Sequence, residues 1–226
     1  NSGEYKVMGL APYGEAKYKD VILKELVDLK EDGTFRLNMK YFNYATGLTM
    51  INEKFTNLFG QKVRNPDKDL LTEFHMDIAA SIQAVIEEII LKLTESLSKE
   101  FESKNLCMAG GVALNCVANG KILKKSVFKN IWIQPAAGDA GGSLGAALAF
   151  WYRELGNKRN PSISKQDEMA GSYLGPSFNN NQIEKILKSL KAKYQKQTDE
   201  NLFNIIANEL KNEKTVGWFQ GRMEFG

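Results

Sequence analysis

Residues 130–150 read "NIWIQPAAGDAGGSLGAALAF", a short apolar run followed by a glycine-rich turn and a longer apolar stretch at helical spacing. Residues 105–125 show the same order immediately upstream, with "NLCMAGGVALNCVANGKILKK". Each pattern predicts a short buried strand that turns sharply into a helix. Two consecutive units of this kind predict parallel strands joined by a crossover helix, and therefore an α/β sheet.

A long helix is predicted upstream, over about residues 69–101. Its apolar side chains recur at intervals of three, four and seven, which places them on one helix face: Phe74, Ile78, Ile82, Val85, Ile86, Ile89, Leu93 and Leu97. Shorter patterns predict a helix over residues 20–30, a turn and strand in "EDGTFRLN" at 31–38, and a loop-rich insertion with short helices at 41–68.

The downstream part has a different composition. Residues 156–170 are polar and nearly free of large apolar side chains, which indicates a linker or boundary. A new unit then begins with a helix that Ser177 or Asn179 would cap. A second helix is predicted at about residues 200–212, followed by a strand in "TVGWF" at 215–219.

The composition indicates a globular protein with a substantial core, because 43% of the 226 residues are hydrophobic and 25% are charged. A net charge of +3 is too small to indicate a nucleic-acid partner. No apolar run approaches the roughly 18 residues that a membrane helix needs, and the chain opens without a signal-peptide pattern. We therefore expect a cytoplasmic protein with small-molecule ligands; the oligomeric state stays open. The start without Met and the abrupt end suggest a fragment.

Two glycine turns are the main candidate site. Gly110 and Gly111 form one, and the cluster from Gly138 to Gly145 forms the other. Ligands of open parallel sheets bind at such strand-to-helix turns, where free N–H groups suit phosphate oxygens. Two neighbouring turns predict one crevice for a nucleotide-sized ligand, although glycines at these positions also serve packing alone. Neither turn matches GxGxxG or a P-loop.

Asp139 lies inside the second glycine turn. A carboxylate at the end of a strand is a suitable ligand for Mg²⁺ or a transition metal. The same side chain could instead cap the helix that is predicted to begin near Gly141, and the two roles are compatible.

Polar residues of the long helix have a simpler interpretation. Asp77 and Ser81 could belong to a site, but the pattern favours polar edges of an amphipathic core helix. Glu87 is assigned to a solvated face, and His75 to the surface or the edge of the core. Lys121, in the next predicted helix, could reach phosphate, but it is assigned as a solubilising surface residue.

Taken together, these features resemble the O-carbamoyltransferases of the NodU/CmcH type, members of the actin-like, sugar-kinase-like (RNase H-like) ATPase superfamily. The stretches that carry the match are "EYKVMGLAPYG" (4–14), "DIAASIQ" (77–83), "CMAGGVALNCVANGKIL" (107–123) with "IQPAAGDAGGSLGAAL" (133–148), and "GWFQGRMEFG" (217–226). The first and last are specific to these enzymes. The others are shared with the tRNA threonylcarbamoyl-adenosine modifying ATPases and the hydrogenase-maturation carbamoyltransferases.

The resemblance implies two domains. Residues 1–160 would be the second half of the ATPase-like carbamoyl-transfer domain, and residues 161–226 a linker and the beginning of a YrdC-like α/β domain. In the family, carbamoyl phosphate and ATP give carbamoyl-adenylate, and the carbamoyl group passes to a hydroxyl of a sugar or antibiotic-like metabolite. The fragment alone would be inactive.

The resemblance also assigns site residues. Asp139 matches a ligand of a divalent metal, iron or magnesium, whose family site also uses a histidine pair; the single histidine here, His75, cannot supply it. The other matches are to the nucleotide and carbamoyl-phosphate sites: Gly110, Gly111 and Asn115 on the adenosine side, Gly138, Gly141 and Gly142 on the phosphate side, Glu4 and Lys6 near the nucleotide, and Arg222 on the carbamoyl-phosphate side. No catalytic residue is assigned.

Two other functions fit the glycine turns. One is an ATP-dependent phosphotransferase or ATPase of the sugar-kinase type, which would lack an element like "GWFQGRMEFG". The other is a non-catalytic nucleotide-binding module.

Overall fold

The computed structural model describes residues 3–159, 167 and 169–224. It is a mixed α/β structure, as the sequence predicts, and it divides into two compact units, Asn1–Leu144 and Gly145–Gly226. The predicted linker at 156–170 falls partly on residues 160–166 and 168, which lie outside the described residues. The predicted domain boundary between residues 160 and 161 stays a prediction.

The first unit begins with short elements. Helix α1 (Glu4–Leu10) leads into a 3-10 turn, and α2 (Lys19–Val21) continues as a π-turn through Ile22–Leu26. The helix predicted over residues 20–30 is wrong beyond Leu26, because Val27–Leu29 forms strand β1. The backbone of β1 pairs antiparallel with β2 (Phe35–Leu37), the strand that "EDGTFRLN" predicts.

Residues 41–68 are mostly irregular, as predicted, but they contain one short helix instead of several. An isolated bridge joins Phe42 to Ile51. Helix α3 (Glu53–Phe59) begins where the Asn52 side chain accepts a hydrogen bond from the Lys54 N–H, and it ends at Gly60 in a left-handed conformation.

The long helix α4 (Glu73–Glu100) organises the first unit. One core cluster packs the N-terminal elements against Val85 and Ile89, and includes Ile22, Leu26, Val27 and Tyr41. A second cluster packs the following elements against Ile90, and includes Ala118, Ile122 and Phe128. The apolar stripe predicted from spacing therefore lies between two groups of elements.

The two strand–turn–helix units form as the sequence predicts. Strand β3 (Asn105–Met108) is followed by a 3-10 turn and α5 (Cys116–Lys125), and strand β4 (Asn130–Ile133) is followed by α6 (Asp139–Ala149). The strands are parallel, with Asn105 opposite Asn130 and Met108 opposite Ile133. Both strands therefore end at the same edge of the sheet, where the glycine turns begin.

The second unit contains α7 (Asn180–Ser189) and α8 (Asp199–Lys211). Asn179 caps α7, so this one of the two predicted capping residues is confirmed. The strand predicted at residues 215–219 is wrong, because those residues carry no strand or helix. A strand requires a backbone partner; here Trp218 instead stacks on Phe203, with ring centroids 6.5 Å apart. None of the helices among the described residues is long and apolar enough to cross a membrane.

Candidate functional site

The two glycine turns lie side by side at the ends of β3 and β4. The Gly110 N–H donates to the Ala137 carbonyl oxygen at 2.8 Å, and the Gln134 N–H donates to the Met108 carbonyl oxygen at 3.0 Å. A Cβ built on Gly138 would lie 4.0 Å from the Gly111 Cα. The proximity inferred from the order of the elements is confirmed.

The glycines serve different purposes. Gly110 has φ +96° and ψ 160°, a backbone conformation that residues with a side chain rarely adopt. A Cβ on Gly110, Gly111 or Gly142 would meet nothing within 4 Å. These three positions leave open space above the backbone. Gly141 differs, because a Cβ there would collide with the Ala136 carbonyl oxygen. Close packing explains Gly141, whereas the other three positions leave room for a ligand.

Asp139 is the first residue of α6, and its side chain is exposed. The helix thus begins two residues earlier than the sequence predicts, so Asp139 lies in the first turn rather than at a cap before Gly141. A carboxylate in a first turn is favoured by the helix dipole. Among the described residues there is no group of three or more His, Cys, Asp or Glu side chains that could hold a metal ion. Asp139 by itself does not make a metal site.

Asn115 lies at the end of the first turn, and its side chain forms hydrogen bonds with other residues of the protein. Its Oδ1 accepts a hydrogen bond from the Ala118 N–H at 3.1 Å and thereby caps α5. The same side chain pairs with Gln83 of α4, because Asn115 Nδ2 donates to Gln83 Oε1 at 2.9 Å and Gln83 Nε2 donates to Asn115 Oδ1 at 3.2 Å.

The remaining predicted site residues lie elsewhere. Glu4 is the first residue of α1, which packs against α4, and its side chain lies outside what the structure describes. The Lys6 ammonium lies 5.7 Å from the ring centroid of Tyr5. Arg222 belongs to the second unit, where its Nη1 donates to the Gly175 carbonyl oxygen at 2.6 Å. Among the predicted residues, the glycines, Asn115 and Asp139 therefore share one region.

Buried polar residues of α4 correct the sequence interpretation. Asp77 and Ser81 are 4% and 0% exposed, so they are not polar edges of the helix. Asp77 Oδ1 accepts from the Glu15 N–H at 2.8 Å, and Ser81 Oγ accepts from the Tyr18 N–H at 3.0 Å. The two side chains hold the loop that follows "GLAPYG". Their spacing of four on one helix face was the available signal.

Charge pairing reinforces this loop. The Lys17 ammonium lies 2.8 Å from a carboxylate oxygen of Asp77 and 2.8 Å from one of Glu73. The Glu15 N–H and the Lys17 ammonium hold the pKa of Asp77 below its ordinary value. The Asp77 and Glu73 carboxylates raise the pKa of Lys17 above its ordinary value. These contacts fix the loop to α4, which is a structural role.

Glu87 and Lys121 also differ from the sequence interpretation. Glu87 is 7% exposed and forms an ion pair with Lys121 of α5, so Glu87 is not on a solvated face and Lys121 is more than a solubilising residue. His75, by contrast, has the structural role expected of a surface or core-edge residue: its Nδ1 lies 3.0 Å from the Thr72 N–H, in the capping box at the start of α4.

A groove of about 520 Å³ lies between β1, β2 and α4. Its lining includes Lys24, Arg36 and Lys92 together with Asp28 and Glu88. It contains none of the glycine-turn residues, so it is separate from the candidate site.

The comparisons with known proteins agree with the geometry. Residues 1–148 match the family model described as carbamoyltransferase N-terminus, and the chain belongs to this family. The resemblance to the NodU-type carbamoyltransferases is thereby confirmed. The matched residues include both glycine turns and Asp139.

Three proteins illustrate the range of relatives to which this chain is similar. An uncharacterized protein of Synechocystis sp. is 60% identical over all of this chain and 37% of its own length. Nodulation protein NolO of Bradyrhizobium diazoefficiens is 33% identical over 99% of this chain and 38% of its own length. A tRNA N6-adenosine threonylcarbamoyltransferase of Streptococcus equi subsp. zooepidemicus is 29% identical over 65% of this chain and 42% of its own length. The chain therefore spans less than half of these relatives.

Proposed function

We propose that this chain forms part of an O-carbamoyltransferase that transfers a carbamoyl group to a hydroxyl of a sugar or antibiotic-like metabolite. The observation that carries the proposal is the meeting of two open glycine turns at the ends of two parallel strands, within the residues that match the carbamoyltransferase family. Backbone that a ligand can approach closely at such an edge suits a nucleotide.

ATP is the proposed nucleotide. Gly110 and Gly111 would lie against its adenosine side, and Gly138, Gly141 and Gly142 would form its phosphate side, where Gly141 allows the turn to pack closely on Ala136. The α6 helix begins at the second turn, so its free N–H groups and its dipole favour phosphate oxygens there. In this proposal carbamoyl phosphate, water and ATP would give carbamoyl-adenylate, phosphate and pyrophosphate. The acceptor hydroxyl would then take the carbamoyl group and release AMP.

The metal is the second part of the proposal. Asp139 would supply one oxygen ligand to a divalent ion, iron or magnesium, that stabilises negative charge at the transferring group. The described residues alone do not complete such a site. The other ligands would therefore have to come from outside the described residues.

We also propose a domain organisation, a localisation and a class of partners. Residues 1–160 would be half of an actin-like, sugar-kinase-like ATPase domain, and residues 161–226 the beginning of a YrdC-like domain in which Arg222 faces carbamoyl phosphate. The parallel pairing of β3 with β4 and the crossover helix α5 support the first assignment. We propose a cytoplasmic protein with small-molecule substrates and without a nucleic-acid or membrane partner.

The products of the intact protein test the function. With ATP and carbamoyl phosphate, we expect carbamoyl-phosphate-dependent formation of AMP, because the adenylate releases AMP when the carbamoyl group leaves. A phosphotransferase of the sugar-kinase type would give ADP instead. Binding of ATP without either product would favour the non-catalytic module, and neither binding nor turnover would refute the proposal.

Asp139 tests the metal assignment. We expect Asp139→Ala in the intact protein to lower the bound metal, measured by elemental analysis after gel filtration. Asp20→Ala is the control, since Asp20 is an exposed acid of α2. Equal metal content in the Asp139 variant and the wild type would exclude Asp139 as a ligand.

A further inference from the structure

A chain of polar side chains, in which Gln83 and Glu87 are buried and Asn115 is half-buried, lies behind the first glycine turn. Gln83, which is 8% exposed, uses both N–H groups of its amide: one donates to Glu87 Oε1 at 2.9 Å and the other to Asn115 Oδ1 at 3.2 Å. Its Oε1 accepts from Asn115 Nδ2 at 2.9 Å. The two amides thus form a reciprocal pair between α4 and the start of α5.

The charge of Glu87 determines which atoms donate and which accept in this series of hydrogen bonds. The ionised carboxylate only accepts hydrogen bonds, and it is itself held by the Lys121 ammonium. The NH₂ group of Gln83 must therefore face Glu87. The remaining N–H of Gln83 and its oxygen then allow only one orientation of the Asn115 amide. In that orientation Asn115 Oδ1 accepts from Gln83 and also from the Ala118 N–H, and Asn115 Nδ2 donates to Gln83.

Asn115 is connected to the glycine turn through short backbone contacts. The Asn115 N–H donates to the Val112 carbonyl oxygen and the Ala113 N–H to the Gly110 carbonyl oxygen, each at 3.0 Å. At the other end Gly110 is bonded to Ala137 of the second turn. We therefore expect a displacement of Asn115 to shift the backbone of Gly110 and Gly111.

We propose that Gln83 and Asn115 are positioning residues for the nucleotide turn, and that Asn115 acts through the backbone rather than as a nucleotide ligand. Both acceptor positions of Asn115 Oδ1 and one of its two N–H groups are already bonded within the protein. This inference rests on the proposed function and assigns a role that the family match does not.

The principal test is Gln83→Met in the intact protein. Methionine fills a similar volume but forms no such hydrogen bonds with Asn115 or Glu87. The amide atoms of Asn115 and Glu87 Oε1 therefore lose the partner that Gln83 provided. We expect the dissociation constant of a non-hydrolysable ATP analogue, measured by calorimetry well below the melting temperature, to rise about tenfold. Thr94→Val is the matched control, because Thr94 is a buried residue of α4 whose Oγ1 donates to the Ile90 carbonyl oxygen at 2.8 Å, far along the helix from the turn. It should lower the melting temperature without changing nucleotide affinity.

A double-variant cycle tests whether Gln83 and Asn115 act through their shared amide pair. Asn115→Ser retains a side chain that caps α5 but removes the amide pair. Because both substitutions break the same pair, we expect Gln83→Met/Asn115→Ser to bind the analogue no more weakly than the weaker single variant. Effects that multiply would show that the two residues act independently and would overturn the inference.

Glu87→Gln keeps the test decisive if Gln83→Met does not fold. It preserves shape but removes the charge that orients the amides, and we expect about a threefold rise in the dissociation constant. An unchanged affinity in Gln83→Met, or in Glu87→Gln where that variant replaces it, would overturn the inference while leaving the proposed function intact. Failure of the wild-type protein to bind the analogue would overturn both.

Discussion

At Gly110, an unusual backbone conformation coincides with open space. Its φ of +96° and ψ of 160° lie in a region that is almost restricted to glycine, although no atom would obstruct a Cβ. We expect Gly110→Ala to lower the free energy of unfolding by about 1–3 kcal/mol through backbone strain alone. Denaturant unfolding of the two proteins measures this difference, and an equal midpoint would show that the turn relaxes.

Gly111 provides the matched control. Its backbone does not require a positive φ, and a Cβ there would also meet nothing within 4 Å. Gly111→Ala should therefore leave stability nearly unchanged. If a nucleotide approaches this backbone, the added methyl group should still weaken its binding, so the pair of variants separates strain from ligand contact.

Asp77 predicts a pH dependence. Its pKa is lowered from the ordinary value of 3.8 by the Glu15 N–H and the Lys17 ammonium, so the stability it contributes is present above pH 3.8 and is lost as pH falls through the lower folded-state pKa. We expect Asp77→Asn to have a lower melting temperature than the wild type at pH 7. The difference should close as the pH falls below about 3.8. A difference that stays constant down to pH 2 would contradict the ionic origin.

The same residues show why sequence reasoning misjudged polar positions of α4. The bonds from Asp77 to Glu15 and from Ser81 to Tyr18 join residues 62 and 63 positions apart. A polar side chain on a long amphipathic helix is indistinguishable from a solvated one until the distant loop that covers it is known. The position of the two glycine turns could be predicted because the strand–turn–helix signal is local.

Elements with a strong internal period were predicted well. The spacing of α4 alone located it to within four residues at its start and one at its end. Strand β1 was mistaken for helix because its state depends on pairing with β2, and residues 215–219 were mistaken for a strand because β-rich composition does not supply a partner. Local pattern decides a helix of this length. Strands β2, β3 and β4 were predicted from local pattern as well, whereas β1 and residues 215–219 depend on the presence or absence of a pairing partner.

The contact between α4 and α5 predicts an element-scale effect. Ile122 is fully buried beside Ile90, whereas its neighbour Leu123 is 53% exposed on the same helix. We expect Ile122→Ala to lower the free energy of unfolding by about 2–5 kcal/mol through the cavity it leaves. Leu123→Ala removes a similar side chain and should cost less than about 1 kcal/mol. Comparable losses in chemical denaturation would mean that α5 does not pack on α4 as described.

For the whole molecule, the relevant feature is apolar surface that the chain does not cover. Ile183, Ile186 and Leu190 recur at intervals of three and four around α7, and all three are exposed. The sheet likewise exposes Trp132. The chain covers only 37% and 38% of two of its relatives, and residues beyond it in an intact protein would be available to cover such surface.

We therefore expect the isolated 226-residue chain to enhance the fluorescence of anilinonaphthalene sulfonate more strongly than the intact protein at equal molarity, because the dye binds exposed apolar surface. Ile186→Lys in the isolated chain should reduce the signal by disrupting the apolar stripe of α7. Asn181→Lys adds the same charge on the opposite side of that helix and should leave the signal unchanged. Equal fluorescence from the chain and the intact protein would show that the stripe remains exposed to solvent in both.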